Sequence, residues 1–360
     1  MKRTTLTSTF IPVSLVVMLL LGGCSSKETT DANMQVAENQ SASLLAYFQE
    51  NGDFINTTAP AIMTASELNG MLSRNILIID LRAQEDFDAG HIEGAVRLTP
   101  GDVPAFFEND VDAPSFERIV FVCNRGQISS YVAGIMRLLG YGNTWAVRYG
   151  MSAWNQDAAA SGWDKATGDH PEKLTSDELA PLDGTNELPV ITVEASTGGE
   201  IARQRAMQLL SKESSAHLIS FSDLMKDAEK YTIVAYVPAD WYQQMKHPEG
   251  AIQFTPKASL GAEAELYKLM PGKPVAVYCF NGHHSAQAAA YLRMLGYDAY
   301  SVTYGANGFM HSAFSREEQA TSRYWSDLQK NSFPVKKGPG DTSGQTNKPA
   351  VVKQAQGGCA

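Results

Sequence analysis

Cysteine is scarce in this chain, with four in 360 residues, at positions 24, 123, 279 and 359. So sparse a set does not staple a disulfide-rich domain. Basic charge is also short: 29 Lys and Arg stand against 39 Asp and Glu, for a net charge of -10. That balance excludes the broad basic face that nucleic acid demands. It also means that an anionic ligand has to be met by a local positive field, because the chain as a whole repels it. Long apolar runs are missing too; the stretch from Phe10 to Leu21 is almost wholly apolar but too short to span a bilayer comfortably. What remains is an ordinary globular composition, 44% hydrophobic and 19% charged, with length for about two domains.

The short apolar run does suit a secretory signal, behind Met1-Lys2-Arg3 and ahead of Leu21-Gly22-Gly23-Cys24. Small residues before a cysteine resemble the bacterial lipobox, which implies cleavage at Cys24 and its lipidation. Ser25 in the next position resembles lipoproteins passed on to the outer membrane. Residues 1–24 are therefore expected to be a lipoprotein signal peptide. The mature chain is expected to be anchored by lipid in the bacterial cell envelope, on the periplasmic face of the outer membrane. With Cys24 set aside, three cysteines remain in a compartment that favours disulfides, so free and chemically used thiols are expected.

An internal repeat organises the rest. Shifted by 156 residues, the sequence meets itself. "IMTASEL" from Ile62 falls on "LISFSDL" from Leu218, and "GHIEGAVRLTP" from Gly90 falls on "KHPEGAIQFTP" from Lys246. "CNRGQISS" from Cys123 falls on "CFNGHHSA" from Cys279, and "RLLGY" from Arg137 on "RMLGY" from Arg293. One deletion then brings "RYG" at Arg148 onto "TYG" at Thr303. Two copies of one domain are the expectation.

Within a copy, strand and helix signals alternate. Thr64 and Ser220 are N-cap candidates with Glu67 and Asp223 three positions on. Asn75 to Asp80 and Arg118 to Cys123 are short apolar runs fit for buried parallel strands, the latter matched by Pro274 to Cys279. Ser129 to Leu139 has helical apolar spacing ended by Gly140, and Thr144 to Val147 and Ala299 to Thr303 suggest a further strand. The fold class is α/β, two tandem domains, each a mostly parallel sheet with helices on both faces. In such sheets chemistry sits beyond the carboxyl ends of the strands, where Cys123 and Cys279 stand.

A strand ending in cysteine, a short turn and a helix N-terminus aim backbone N–H groups at the sulfur and favour thiolate over thiol. Gly126 lets the turn curl close to the sulfur, and Arg125 adds a fixed cation suited to an oxyanion.

Both copies resemble rhodanese domains, the sulfurtransferase family. Asp80-Leu81-Arg82, Glu85, Phe87, Gly90-His91-Ile92-Glu93-Gly94-Ala95 and Cys123-x-x-Gly126-x-x-Ser129 carry the resemblance. In the second copy it rests on His247-Pro248-Glu249-Gly250-Ala251 and Cys279-x-x-Gly282-x-x-Ser285. It implies a thiosulfate sulfurtransferase that moves sulfane sulfur from thiosulfate or polysulfide through a cysteine persulfide. Cys123, and Cys279 in the second copy, would be catalytic. Asn124, Arg125, Gly126, Gln127, Ile128 and Ser129 would bind the substrate, their amides holding the persulfide and Arg125 the sulfonate. Asp80 and Arg82 would brace the site, and His91 and Glu93 would be fold markers. The implied partners are a small anionic sulfur donor and an acceptor, which is a thiol, cyanide or a thioredoxin-like protein. No cofactor and no metal are implied.

Cysteine phosphatases of related topology are a poorer match, since their Cys-x5-Arg would place arginine where Ser129 and Ser285 stand. The Gly-rich loop of mercaptopyruvate-type members is also absent. The second copy departs from the pattern, with Tyr236 for Asp80, Pro238 for Arg82 and no arginine in its loop, so its electrostatics are expected to be thinner. Cys279, His283 and His284 are poor geometry for a shared metal. Trp145, Trp154 and Trp241 are expected in packing. The alternative is a sulfur carrier, sensor or docking module of the envelope without turnover, or a redox sensor closing a disulfide through Cys359. Expected boundaries are a tether and N-terminal helical segment at 25–58, the first domain at 59–158, a linker and connecting segment at 159–212, the second domain at 213–325 and a disordered tail at 326–360.

Overall fold

The computed structural model describes residues 40–177 and 179–339. The signal segment, Cys24 and Cys359 lie outside the described residues.

The first sheet contains β1 (Ile62–Met63), β2 (Ile76–Asp80), β3 (Ala95–Arg97), β4 (Arg118–Val122) and β5 (Thr144–Val147), all parallel, in the order β1-β5-β4-β2-β3. Leu77, Ile79, Ile119 and Phe121 face one apolar layer while Ile76, Ile78, Val120 and Val122 face another. Two covered faces explain why these runs are apolar at every position and do not alternate. A separate two-stranded pair, β6 (Leu174–Thr175) and β9 (His247–Pro248), is antiparallel. The second sheet holds β7 (Leu218–Ile219), β8 (Thr232–Tyr236), β10 (Ala251–Phe254), β11 (Val275–Tyr278) and β12 (Ala299–Val302). Its order, β10-β8-β11-β12-β7, is the same winding as the first. Thr64 caps its helix in a full capping box with Glu67, and Ser220 accepts from the Asp223 amide, each worth about 1 kcal/mol.

Two helices place the cysteines and a third packs on both. α1 (Gln127–Leu138) follows β4, α2 (Gly198–Leu210) lies between the domains, and α3 (His283–Met294) follows β11. α1 starts two residues before the Ser129 expected from spacing, because Gly126 at φ 89° makes the turn and leaves Gln127 already helical. α1 and α3 pack on each other so closely that a Cβ on Gly134 would come within 3.2 Å of the Gln287 Cα. The inner faces of both sheets therefore share one core, in which Phe121, Tyr131, Val275 and Tyr291 all take part. The outer faces have separate cores.

Two segments carry more structure than expected of the linker and connecting segment at 159–212 and the disordered tail at 326–360. The segment 159–212, read as a linker, ends in α2, which carries a Thr197–Glu200 capping box and buries Ile201, Ala202, Ala206, Leu209 and Leu210 against both domains. The isoleucine and the two leucines each contribute about 1.5–3 kcal/mol when fully buried, so this stretch belongs to the core. The tail expected at 326–360 begins as a strap. Asn331 and Phe333 donate backbone bonds to Ala153 and Trp154 (both 3.1 Å), and His91 and Lys336 exchange two more at 2.9 and 2.8 Å. Phe333 packs its ring on Trp154 at 5.0 Å, and Val335 fills the space beside Gly90. A Gly-, Pro- and Lys-rich composition conceals this, because an extended strap needs few apolar anchors once its backbone bonds are made.

Candidate active site

β2 and β4 are in register at Asp80 and Val122, so Leu81-Arg82 and Cys123 emerge side by side. After Cys123 the chain turns through a loop whose carbonyls are all engaged. Met151 N donates to the Cys123 carbonyl (2.9 Å), Ser152 N to that of Asn124 (3.2 Å) and Trp163 Nε1 to that of Arg125 (2.9 Å). Gly150 comes so close to this loop that a Cβ there would sit 2.1 Å from the Cys123 carbonyl oxygen. With its carbonyls tied outward, the loop turns amides inward. Gly126 N (3.1 Å) and Ser129 N (3.4 Å) donate to Cys123 Sγ, and Ser129 Oγ lies 3.4 Å from it.

Of the loop amides expected at the sulfur, these two make hydrogen bonds to it. Asn124 is exposed and bonds Asp86 Oδ2 at 2.8 Å, while Ile128 is half-buried against the shared core. Arg125 is exposed and places its guanidinium 5.5 Å from the ring of Tyr304, in the other domain. Gln127 does not line a donor cradle with its side chain. It is 3% exposed and runs into the second domain, where Oε1 accepts from Tyr304 N (2.8 Å) and Nε2 donates to the Val302 carbonyl (3.2 Å). The nucleophile candidate is itself enclosed, with Cys123 at 4% exposure. Its loop is capped by the neighbouring domain, which reading one copy alone does not reveal.

Asp80 and Arg82 form a buried, two-pronged ion pair. Nη2 meets Oδ2 at 2.7 Å and Nε meets Oδ1 at 2.9 Å, while Nη2 also reaches the Gly90 carbonyl at 2.7 Å. Both charges are spent on each other and on backbone, as suits a brace. His91 stacks on Phe87 at 3.9 Å, and His247 stacks on Tyr242 at 4.2 Å, so this histidine has the same packing in both copies.

The second loop repeats the frame. Ser285 N donates to Cys279 Sγ (3.4 Å), Ala306 N holds the Cys279 carbonyl (2.8 Å), and a Cβ on Gly305 would come within 2.2 Å of that carbonyl. Cys279 is 2% exposed. Tyr236, in the place of Asp80, accepts from Lys257 N at 3.2 Å. The adjacent histidines part company. His283 points into the first domain, where Nε2 accepts from Tyr149 N at 2.9 Å, and His284 turns toward the Tyr236 ring at 4.9 Å. Burial pushes both imidazoles down to about 3.

His283 and Gln127 hold equivalent places, and so do Tyr149 and Tyr304; the contacts are reciprocal. A side chain from each loop clasps the amide of a tyrosine in the other domain, and both tyrosines sit at φ 63° in the left-handed region. Non-glycine residues hold that conformation at a cost that the surroundings have to offset. Spacing within one copy gave no sign of these contacts. The signal available was the recurring Tyr-Gly after the last strand. Arg148 and Arg323 also went unnoticed. The first lies beside Tyr149, and the second sets its guanidinium 4.5 Å from the Phe280 ring.

The sequence pattern of the rhodanese-like domain matches residues 64–157 and 220–312, together more than half of the chain. A thiosulfate sulfurtransferase GlpE of Pseudomonas entomophila is 32% identical over 79 residues, covering 22% of this chain and 69% of that protein. Among solved structures, a rhodanese-like domain protein from Staphylococcus aureus is 26% identical, covers 27% of this chain and 92% of its own, and has a TM-score of 0.24. A thiosulfate sulfurtransferase from Pseudomonas aeruginosa is 15% identical, covers 81% of this chain and 49% of its own, and has a TM-score of 0.27. Two matches in tandem, on two parallel five-stranded sheets each bearing a cysteine loop, lead to one conclusion: the chain belongs to the rhodanese-like sulfurtransferase family as a protein of two such domains.

Proposed function

We propose that the chain transfers sulfane sulfur from thiosulfate or a polysulfide to a thiophilic acceptor, with Cys123 as nucleophile and carrier. The thiolate attacks the outer sulfur of thiosulfate, a new S–S bond forms at Cys123, and the old S–S bond breaks with its electron pair leaving on sulfite. A thiol, cyanide or a thioredoxin-like protein then takes the terminal sulfur from the persulfide and restores the thiolate. The observation that carries this reading is the convergence of Gly126 N and Ser129 N on Cys123 Sγ beyond the carboxyl end of β4. Both donors favour an anionic sulfur and, in the persulfide, its negative charge. Arg125 would draw the dianionic donor to the loop, and Asp80 with Arg82 would keep the neighbouring strand end rigid. The GlpE relatives, named as thiosulfate sulfurtransferases, support the donor class.

The test is the mass of the intact protein and its peptides after exposure to thiosulfate. Cys123 should gain one sulfur atom, lose it to a small thiol or cyanide, and release sulfite; Cys123→Ser should abolish the Cys123 adduct. An unmodified Cys123 would refute the mechanism. In the same reading the protein works at the cell envelope, held by lipid on Cys24 at the periplasmic face of the outer membrane. Lipid labelling that survives Cys24→Ser would refute that placement.

A further inference from the structure

Along α1 and α3 the domains meet at two places that the repeat makes equivalent, and the two are finished differently. On one side α3 presents Gln287 to Ala61, just ahead of β1. Gln287 Oε1 accepts from Ala61 N at 3.2 Å, and Nε2 donates to the Ala61 carbonyl at 3.4 Å. On the other side α1 presents Tyr131, the counterpart of Gln287, to His217, the counterpart of Ala61 just ahead of β7. The backbones agree, since the Ala61 and His217 carbonyls accept from Ala146 N (3.0 Å) and Ser301 N (2.8 Å). A phenol ring cannot make the amide's two bonds. Tyr131 stacks on the imidazole instead, at 3.8 Å and 11°, and the buried His217 Nε2 has no hydrogen-bond partner among the described residues.

The arginine beside each place follows the same division. Arg137 gives Nε to the Thr144 carbonyl (2.8 Å) and lays its guanidinium against the Phe54 and Trp145 rings. Its counterpart Arg293 meets the matching Ala299 carbonyl through Nη1 (3.0 Å), and its buried Nε has no partner among the described residues. Arg293 stands beside the Tyr131 hydroxyl. With Tyr131 and His217 it lines a cleft between the domains, whose wall also includes Leu209 and Leu210 of α2. The cleft leaves about 10 Å³ for the centre of a water-sized group, which is room for one. A second guanidinium comes up behind the first, as half-buried Arg205 donates to the Arg293 carbonyl through Nη2 at 2.6 Å. Arg205 Nη1 bonds Gln208, and Arg293 pairs only loosely with Asp298, at 3.8 Å and 53% exposed. Burial and the Arg293 charge push the His217 imidazole down to about 3, so it is neutral and adds a ring N–H without a charge. Two buried donors without acceptors, beside cations with little countercharge, call for an anion.

We propose that this cleft is a binding site for one small monatomic anion of the halide class, held between Arg293 Nε and His217 Nε2. Oxyanions such as thiosulfate and sulfite exceed its size, so its ligand is not that of the cysteine loops. The anion completes on the Tyr131–His217 side the bonding that Gln287 and Ala61 complete on the other. Because the walls come from α1, α2 and α3, it ties both domains and the connecting helix together.

The experiment unfolds the full chain with urea in chloride and in gluconate at one ionic strength. A single site on the folded state makes the unfolding constant fall about tenfold for each tenfold rise in chloride above its dissociation constant. His217→Phe keeps the ring stack and removes the Nε2 donor, and Arg293→Lys keeps the charge and removes Nε; each should flatten that dependence. In crystals of the unaltered protein, bromide in place of chloride should give an anomalous peak between Arg293 and His217, a readout that does not depend on the variants folding. Equal unfolding constants in chloride and gluconate, or a chloride dependence that either variant retains in full, would overturn the proposal. So would ordered solvent at the site without a bromide signal, which would make the occupant a water.

Discussion

Around Cys123 the sulfur meets two loop amides, and the neighbouring strand ends in the Asp80–Arg82 pair. Around Cys279 one loop amide reaches the sulfur, and Tyr236 and Pro238 stand where that pair would be. Yet the backbone frames agree closely. Gly126 and Gly282 sit at φ 89° and 82°, Gly150 and Gly305 at φ 59° and 55°, and Tyr149 and Tyr304 both at 63°. The comparison shows which parts of a duplicated site are fixed. Conformations that glycine alone tolerates without strain, or that a partner must hold in place, persist in both copies. Charge moves more freely, because a guanidinium can approach an anion from any element within reach.

The strongest way to break the comparison is to remove the ion pair from one side. Asp80→Asn leaves Arg82 buried without its countercharge and should lower unfolding stability by about 3–5 kcal/mol in chemical denaturation. Tyr236→Phe, which removes one hydroxyl from the corresponding place, should lower it by only about 1 kcal/mol. Next come the turn glycines. A Cβ on Gly126 would fall 2.2 Å from His283 Nε2, and one on Gly282 would fall 2.3 Å from Gln127 Nε2, each at a positive φ. Gly126→Ala and Gly282→Ala should therefore destabilise by a similar ~1–3 kcal/mol each, read from thermal midpoints. A much larger loss for one of them would show that the two clasps are unequal.

A third test separates the clasps by pH, with an effect of about 1.4 kcal/mol for the first pH unit below 6.5. His283 stays neutral in the folded protein down to about 3, whereas the ordinary value is 6.5, and His217 and His284 behave alike. Between those values the unfolded chain binds more protons, so stability is complete above about 6.5 and falls as the pH drops toward 3. Each histidine adds a slope of about 1.4 kcal/mol per pH unit. His283→Gln makes its clasp resemble that of Gln127 and should remove one of the three contributions from the pH dependence of denaturation. An unaltered slope would mean that His283 is charged in the folded state. Smallest of all is the strap's ion pair, Glu93 with Lys336 at 3.1 Å, exposed on both sides. Lys336→Ala should change stability by less than about 1 kcal/mol.

Much of the fold was legible because its causes are local. Apolar runs ending at Asp80 and Cys123 mark buried strands, Thr64 and Ser220 mark helix starts, and the repeat tied the copies together. The candidate site was legible up to its backbone, since Cys123, Gly126 and Ser129 form the sulfur cradle within one turn. What stayed hidden acts between copies. Gln127 was read for its backbone amide, and its side-chain contact, 177 residues away at Tyr304, left no mark in the local pattern. Nor was there any sign in the sequence that Arg323 covers the Phe280 ring of the second loop, or that Arg148 of the first domain bonds its neighbour Ser322. The strap at 331–339 was missed for the same reason: its partners, Ala153, Trp154 and His91, are remote in sequence.

In the mutual clasp, Gln127 holds Tyr304 and its counterpart His283 holds Tyr149, so the contact reads alike from either side. Two identical subunits make that relation about a twofold axis, and here it has been drawn into a single polypeptide. The halves therefore meet at an effective concentration set by their connection and not by the amount of protein present. Dilution should leave the unfolding midpoint where it is, although the contact has the form of a dimer's.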